Sequence, residues 1–136
     1  MLPESVASRI HVAAVSMEDR EVNATVVNAV QRVSSVVTQR SLIEAFGLTV
    51  AEAMWKKAPV VASAVGGIRD QIDDGVDGVL VDPADGLAWA EAVRDLLLFP
   101  ERAQEMGLVA HESVRREFLS NRHLQDLLQI VADLVG

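Results

Sequence analysis

The chain has no cysteine, which excludes a disulfide framework and any thiolate metal site. It also lacks an apolar run long enough to span a bilayer and, at its start, the apolar stretch of a secretion signal. A cytoplasmic location is the expectation that follows. Positive charge is scarce: 12 Lys and Arg stand against 20 Asp and Glu, a formal net charge of −8, and no basic cluster exceeds Lys56-Lys57 or Arg115-Arg116. An acidic surface of this kind repels nucleic acid and anionic membrane, so neither is expected as a partner. Aromatics are few at 4%, so Ala, Val and Leu must build the core, as in helices packed on a parallel sheet. His11, His111 and His123 are scattered, without the spacing of a metal site. Asp73, Asp74 and Asp77 lack the spacing and terminal glutamate of an EF-hand and read as a polar turn. No serine sits in a nucleophile elbow, which leaves acyl transfer without support. Asn23-Ala24-Thr25 fits a glycosylation sequon, but without a secretion signal it carries no weight.

What is present is apolar periodicity. Half of the 136 residues are hydrophobic, which suits one domain spanning 1–136. Pro3 to Ser8 is a polar lead-in of about one helical turn. Arg9 to Val15 reads as a short strand, and Glu21 to Val33 as a helix striped by Val22, Val26, Val27, Val30 and Val33. Further short strands are expected at Ser34–Thr38, Val60–Ser63 and Gly78–Val81, the last ended by Asp82-Pro83. Between them lie helices from Thr49 to Lys57 and from Ile68 to Ile72. Thr49 followed by Glu52 has the spacing of a capping box, and Lys56-Lys57 suit the negative end of that helix. The last third is helical. Leu87–Leu98 carries Leu87, Ala90, Val93, Leu96 and Leu97 on one face, and Glu101–Phe118, opened by Pro100, carries Ala103, Met106, Ala110 and Val114. Ser120 is the expected cap of a final helix that buries Leu124, Leu127, Leu128, Val131 and Leu134. Strands alternating with helices predict an α/β fold: a Rossmann-like parallel sheet with flanking helices.

The chemistry concentrates in Glu44-Ala45-Phe46-Gly47-Leu48-Thr49-Val50-Ala51-Glu52, two carboxylates around a glycine turn that opens a helix. A helix N-terminus offers unpaired N–H groups and a positive dipole end, which suit phosphate or sugar oxygens. Carboxylates accept from vicinal hydroxyls. Glu52 is also explained by the capping box, whereas Glu44 has no cap or helical pair to account for it and otherwise reads as a surface carboxylate. Gly66-Gly67 is a second strand-end loop that leads into a helix. Ligands of open parallel sheets bind beyond the carboxyl ends of the strands, so both loops should meet at one edge. Met54 and Trp55 read as core.

Taken together, Gln39-Arg40-Ser41, Glu44 and Glu52 around Phe46-Gly47-Leu48, Glu52-Ala53-Met54-Trp55, Pro59-Val60-Val61-Ala62-Ser63, Gly66-Gly67 and Asp74-Gly75 through Gly78 resemble the donor-binding half of retaining glycosyltransferases with the GT-B architecture. Within that group the chain looks most like trehalose synthases, which join nucleotide-activated glucose to free glucose. The resemblance implies that Glu44 sits by the donor sugar and that Phe46, Gly47 and Leu48 offer it backbone amides. It further implies that Leu48 and Thr49 reach the diphosphate, that Glu52 holds the ribose hydroxyls, and that Gly66 and Gly67 shape the opposite wall. The implied partner is a nucleotide sugar such as UDP- or ADP-glucose, bound as substrate with no cofactor and no metal. The family often has glycine where this chain has Ala45. It neutralises the diphosphate with an arginine and a lysine on an earlier loop, and Arg40 and Arg69 are not in matching positions.

The resemblance therefore implies a truncated C-terminal domain that carries half of a donor site and is inactive alone. A different expectation is a stand-alone interaction module that forms homodimers through an exposed sheet edge or bare apolar helix faces. A nucleotide-sugar epimerase shares the architecture but also needs two domains.

Overall fold

Val60-Val61-Ala62-Ser63 becomes the middle strand of a three-stranded parallel sheet, and each of its residues is buried. The computed structural model describes the backbone of residues 3–135 and the side chains of 3–119, 124 and 127–134. The sheet order is β1 (Val37–Gln39), β2 (Val60–Ser63), β3 (Val79–Val81), with Val37 opposite Val60 and Ser63 opposite Val81. A central strand without polar alternation is what a sheet covered on both faces requires. Parallel neighbours cannot be joined by hairpins, so a helix crosses over after each strand. These are α3 (Leu48–Trp55) and α4 (Ile68–Gln71), and β3 is followed by α5 (Gly86–Leu98), α6 (Pro100–Glu117) and α7 (Ser120–Val135). Before the sheet come α1 (Glu4–Ala7) and α2 (Arg20–Val33).

Alternate residues of β2 feed two cores. Val60 and Ala62 pack with Val50, Ala53, Met54, Ile68, Ala110 and Val114. Val61 packs with Val81, Trp89, Leu96, Ala103 and Met106. The stripe of α6 is buried as its spacing predicts, and it divides between the two clusters, Ala103 and Met106 in one and Ala110 and Val114 in the other. Each valine- or leucine-sized side chain so buried contributes roughly 1.5–3 kcal/mol. The polar turn expected at Asp73–Asp77 is built by its own carboxylates: Asp77 Oδ1 accepts from Asp73 N–H at 2.7 Å and Asp74 Oδ1 from Leu80 N–H at 2.8 Å.

The chain divides into two compact units, Met1–Val30 and Gln31–Gly136. In the first, α1 supplies the expected turn of helix, and Asp19 Oδ1 caps α2 by accepting from Glu21 and Val22 N–H at 3.0 Å. The strand expected at Arg9–Val15 does not form. Residues 10–16 have no regular structure, and Val12 is 94% exposed. β-Branched residues suit a pleated surface but do not supply a partner for their own N–H and C=O groups, and among the described residues this segment pairs with no strand. The sheet therefore has one strand fewer than expected. α2 forms with its valines in register, yet Val22, Val26, Val30 and Val33 are exposed and the buried position is Gln31, whose Oε1 accepts from Lys56 Nζ.

Four local expectations are corrected in the second unit. α3 starts at Leu48 with Gly47 as its N-cap and no side-chain cap, so Thr49 is already inside the helix and cannot form the capping box. The Glu52 carboxylate instead lies 3.9 Å from Lys56 Nζ. Trp55 is 39% exposed rather than core, lying at 4.5 Å on the half-buried His111, whose Nδ1–H donates to the Trp55 carbonyl at 2.6 Å. On α5 the buried face is Trp89 and Leu96, with Leu87, Ala90 and Leu97 exposed, because the large indole settles against β3 and its Nε1 donates to Asp82 O. On α7 Leu124, Leu127, Leu128, Val131 and Leu134 are all exposed, since no described element covers that face. The expected cap Ser120, and His123, lie outside the described side chains. No helix among the described residues is long and apolar enough to cross a membrane.

Candidate functional site

Because β1 and β2 are parallel, the loops leaving their carboxyl ends start from one edge of the sheet. These loops, 40–47 and 64–67, touch backbone to backbone. Gly66 has φ +48, and a Cβ there would lie 1.7 Å from the Glu44 carbonyl oxygen, so no other residue fits. Gly67 N–H donates to Ala45 O at 3.2 Å. Gln71 on α4 extends the seam, its Nε2 donating to Phe46 O. The coincidence of two glycine-ended loops in the sequence is thus a physical interlock.

The first loop ends at Gly47, whose φ of +91 turns the chain into α3. Val50 and Ala51 N–H donate back to Gly47 O. The N–H groups of Phe46, Gly47, Leu48 and Thr49 make no hydrogen bond among the described residues. With the positive end of the helix dipole behind them, they suit a phosphate or hydroxyl oxygen.

Glu44 is half-buried on the same loop. Gln39 Nε2 donates to Ser41 Oγ at 2.8 Å, which leaves the Ser41 hydroxyl proton to point at Glu44 Oε2, a long contact of 3.4 Å. Leu48, Thr49 and Glu52 are exposed, Glu52 standing one turn along α3 from Leu48. Phe46 packs edge-on against Phe118 at 6.3 Å. A groove of about 220 Å³ runs alongside, lined by Phe46, Leu48, Glu52, Trp55 and Phe118 among others. Glu44, Phe46, Gly47, Leu48, Thr49, Gly66 and Gly67 therefore come together, with Glu52 on the next turn, whereas the Asp73–Asp77 turn belongs elsewhere. Among the described residues no group of three or more His, Asp or Glu could hold a metal ion.

The guanidiniums of Arg40 on the first loop and Arg69 on α4 are both held by backbone carbonyls. Arg40 donates to Pro83 O at 3.1 and 2.9 Å and lies 5.7 Å over the Trp89 ring. Arg69 Nε donates to Ala64 O at 2.6 Å. Among the described residues two buried side-chain polar atoms have no partner, Ser63 Oγ at the end of β2 and Gln71 Oε1. An unpaired buried acceptor costs about 1–3 kcal/mol, so a conformation that keeps one must be held by something else. Sequence reasoning did not single out Gln71 or Ser41 as site residues. Ser41 carried a faint signal, three residues before an unexplained glutamate, while Gln71 in a four-residue helix carried none.

Residues 20–112 match the family model described as glycosyl transferases group 1. The chain is 49% identical over 115 residues to a trehalose synthase of Pyrococcus horikoshii, an alignment covering 85% of this chain and 27% of that protein. Its fold superimposes on the sucrose-phosphate synthase of Thermosynechococcus elongatus with a TM-score of 0.74 at 32% identity, over 91% of this chain and 30% of that one. It also superimposes on the Anabaena protein HepE, solved in complex with UDP-glucose, with a TM-score of 0.69 at 21% identity, over 78% of this chain and 30% of that one. The chain thus spans about a quarter of the length of the trehalose synthase it matches.

Proposed function

The chain belongs to the group 1 glycosyl transferases, with the Rossmann-like α/β fold of a GT-B C-terminal domain, and we propose that its interlocked loops form one wall of a nucleotide-sugar site. The observation that carries this is the row of unpaired N–H groups at Phe46 to Thr49, held at the head of α3 with a carboxylate on either side. Glu44 lies by the donor sugar, where it accepts from hydroxyls and steadies the positive charge that develops at the anomeric carbon as the diphosphate departs. Phe46, Gly47 and Leu48 give amides to the sugar, and Leu48 and Thr49 meet the diphosphate. Glu52 holds the ribose hydroxyls, its carboxylate exposed, capping nothing and 3.9 Å from Lys56 Nζ. Gly66 and Gly67 back this same wall, packed against the Glu44 and Ala45 carbonyls. The donor is a nucleotide-glucose such as UDP- or ADP-glucose, bound as substrate without cofactor or metal.

The parent reaction is retaining transfer of glucose to glucose, forming trehalose, which the similarity to the Pyrococcus horikoshii enzyme supports. The isolated 136 residues bind the donor without turning it over. A leaving diphosphate needs its charge offset, removal of one such donor commonly costs about 2.7–4 kcal/mol, and Arg40 and Arg69 are both committed to carbonyls. Calorimetric titration with UDP-glucose and ADP-glucose tests the site: Glu52→Ala should weaken the preferred donor about tenfold or more. Absence of binding by the unaltered chain would sink the proposal, and trehalose formed by the isolated chain would overturn its inactivity.

The exposed leucine and valine face of α7 favours a second reading, a self-associating module without catalysis. Sedimentation decides it: a tight dimer that binds neither donor supports this reading, and a monomer removes it.

A further inference from the structure

In a trans peptide the C=O and the following N–H point in opposite directions. Gly67 N–H and Gln71 Nε2, both on the β2–α4 segment, hold the carbonyls of Ala45 and Phe46. The N–H groups of Phe46 and Gly47 must then point away from α4, side by side, and both are unpaired among the described residues. Successive amides aimed the same way make an anion- or hydroxyl-binding concavity. One half of this arrangement is backbone and cannot vary. The other half depends on a single side chain.

We infer that Gln71 is a positioning residue, holding the Phe46–Gly47 peptide so that the Gly47 N–H faces the donor sugar; this rests on the nucleotide-sugar reading above. Gln71 is 3% exposed, so it touches no ligand itself and acts through the peptide it holds. Its burial is otherwise unrewarded, because its Oε1 has no partner and lies 3.7 Å from where a Gly47 Cβ would be. A leucine or methionine in the same space would leave no orphaned acceptor on residue 71. It would also release the Phe46 carbonyl, and the peptide ahead of a glycine at φ +91 could then turn over.

The test uses the whole 136-residue chain, 15N-labelled, with Gln71→Met and Gln71→Leu as separate variants. Without ligand, the Gly47 amide resonance should move or broaden in both variants while resonances of β2 and α6 stay in place. On titration, UDP-glucose affinity should fall about tenfold, and affinity for UDP alone clearly less, because the released amide serves the sugar. A purely structural role would weaken UDP and UDP-glucose alike. An unmoved Gly47 resonance in either folded variant, or equal losses for the two ligands, overturns the inference. If the unaltered chain binds neither UDP-glucose nor ADP-glucose, the nucleotide-sugar reading falls and takes the sugar-facing role with it. The ligand-free spectra still report whether Gln71 sets the peptide.

Discussion

Gly66 and Gly75 both have positive φ, +48 and +78, but for different reasons. A Cβ at Gly66 would lie inside the Glu44 carbonyl, whereas one at Gly75 would meet nothing within 4 Å. Gly75→Ala should therefore cost only the left-handed backbone penalty, about 1–2 kcal/mol. Gly66→Ala should cost more than that and lower donor affinity too, since the loop carrying Glu44 has to move; paired urea titrations of the two variants check the difference. Glu112 is a second residue-scale case. Its carboxyl is held below the usual range chiefly by a hydrogen bond from Arg115 Nε at 2.8 Å, opposed by desolvation and aided by the charges of Arg115, His111 and Lys57. A depressed carboxyl stabilises the fold above its unfolded value and loses that contribution as pH falls through the folded one. Arg115→Gln should raise the Glu112 titration in carbonyl-detected NMR, yet leave the melting temperature nearly unchanged, because the pair is exposed. Glu44, Gly66 and Gly67 were legible as residues because loop glycines and unexplained carboxylates stand out in a sequence. Gln71 was not, because only burial distinguishes it from an ordinary surface amide.

Among the elements, β2 and α6 were plain in advance, one from an unbroken apolar run and the other from a helical stripe later found buried at Ala103, Met106, Ala110 and Val114. Helix starts were less so. The Thr49–Glu52 spacing has the form of a capping box, but Gly47 already turns the chain and α3 begins at Leu48, which leaves Thr49 with nothing to cap. Asp85 is a real cap, its Oδ1 accepting from Leu87 N–H at 3.1 Å and Ala88 N–H at 2.9 Å. Asp85→Ala should thus cost about 1 kcal/mol of stability. Thr49→Ala should change it by no more than about 0.5 kcal/mol. Chemical denaturation of both variants against the parent separates the two, and a loss at Thr49 equal to that at Asp85 would restore the capping box.

For the whole molecule, the consequential surface is the apolar face of α7, where Leu124, Leu127, Leu128, Val131 and Leu134 are exposed. If that face joins two copies, Leu128→Lys should lower the sedimentation coefficient while leaving donor binding intact, since neither the loops nor α3 includes it. No change in either would leave the face without a part in self-association.

The parallel α/β order, the two glycine loops and the pair of carboxylates follow from the sequence alone. Hydrophobic period and loop glycines are local properties that need no neighbour to be read. Which apolar faces find a partner is not local. Among the described residues, the Arg9–Val15 segment has strand composition and pairs with no strand, and α7 has a core-like stripe that no element covers. Only the tertiary structure decided these, and only it showed that a side chain on α4 holds the peptide ahead of Gly47, because a hydrogen bond between Gln71 and Phe46 exists only once β2 has brought two distant loops to one edge.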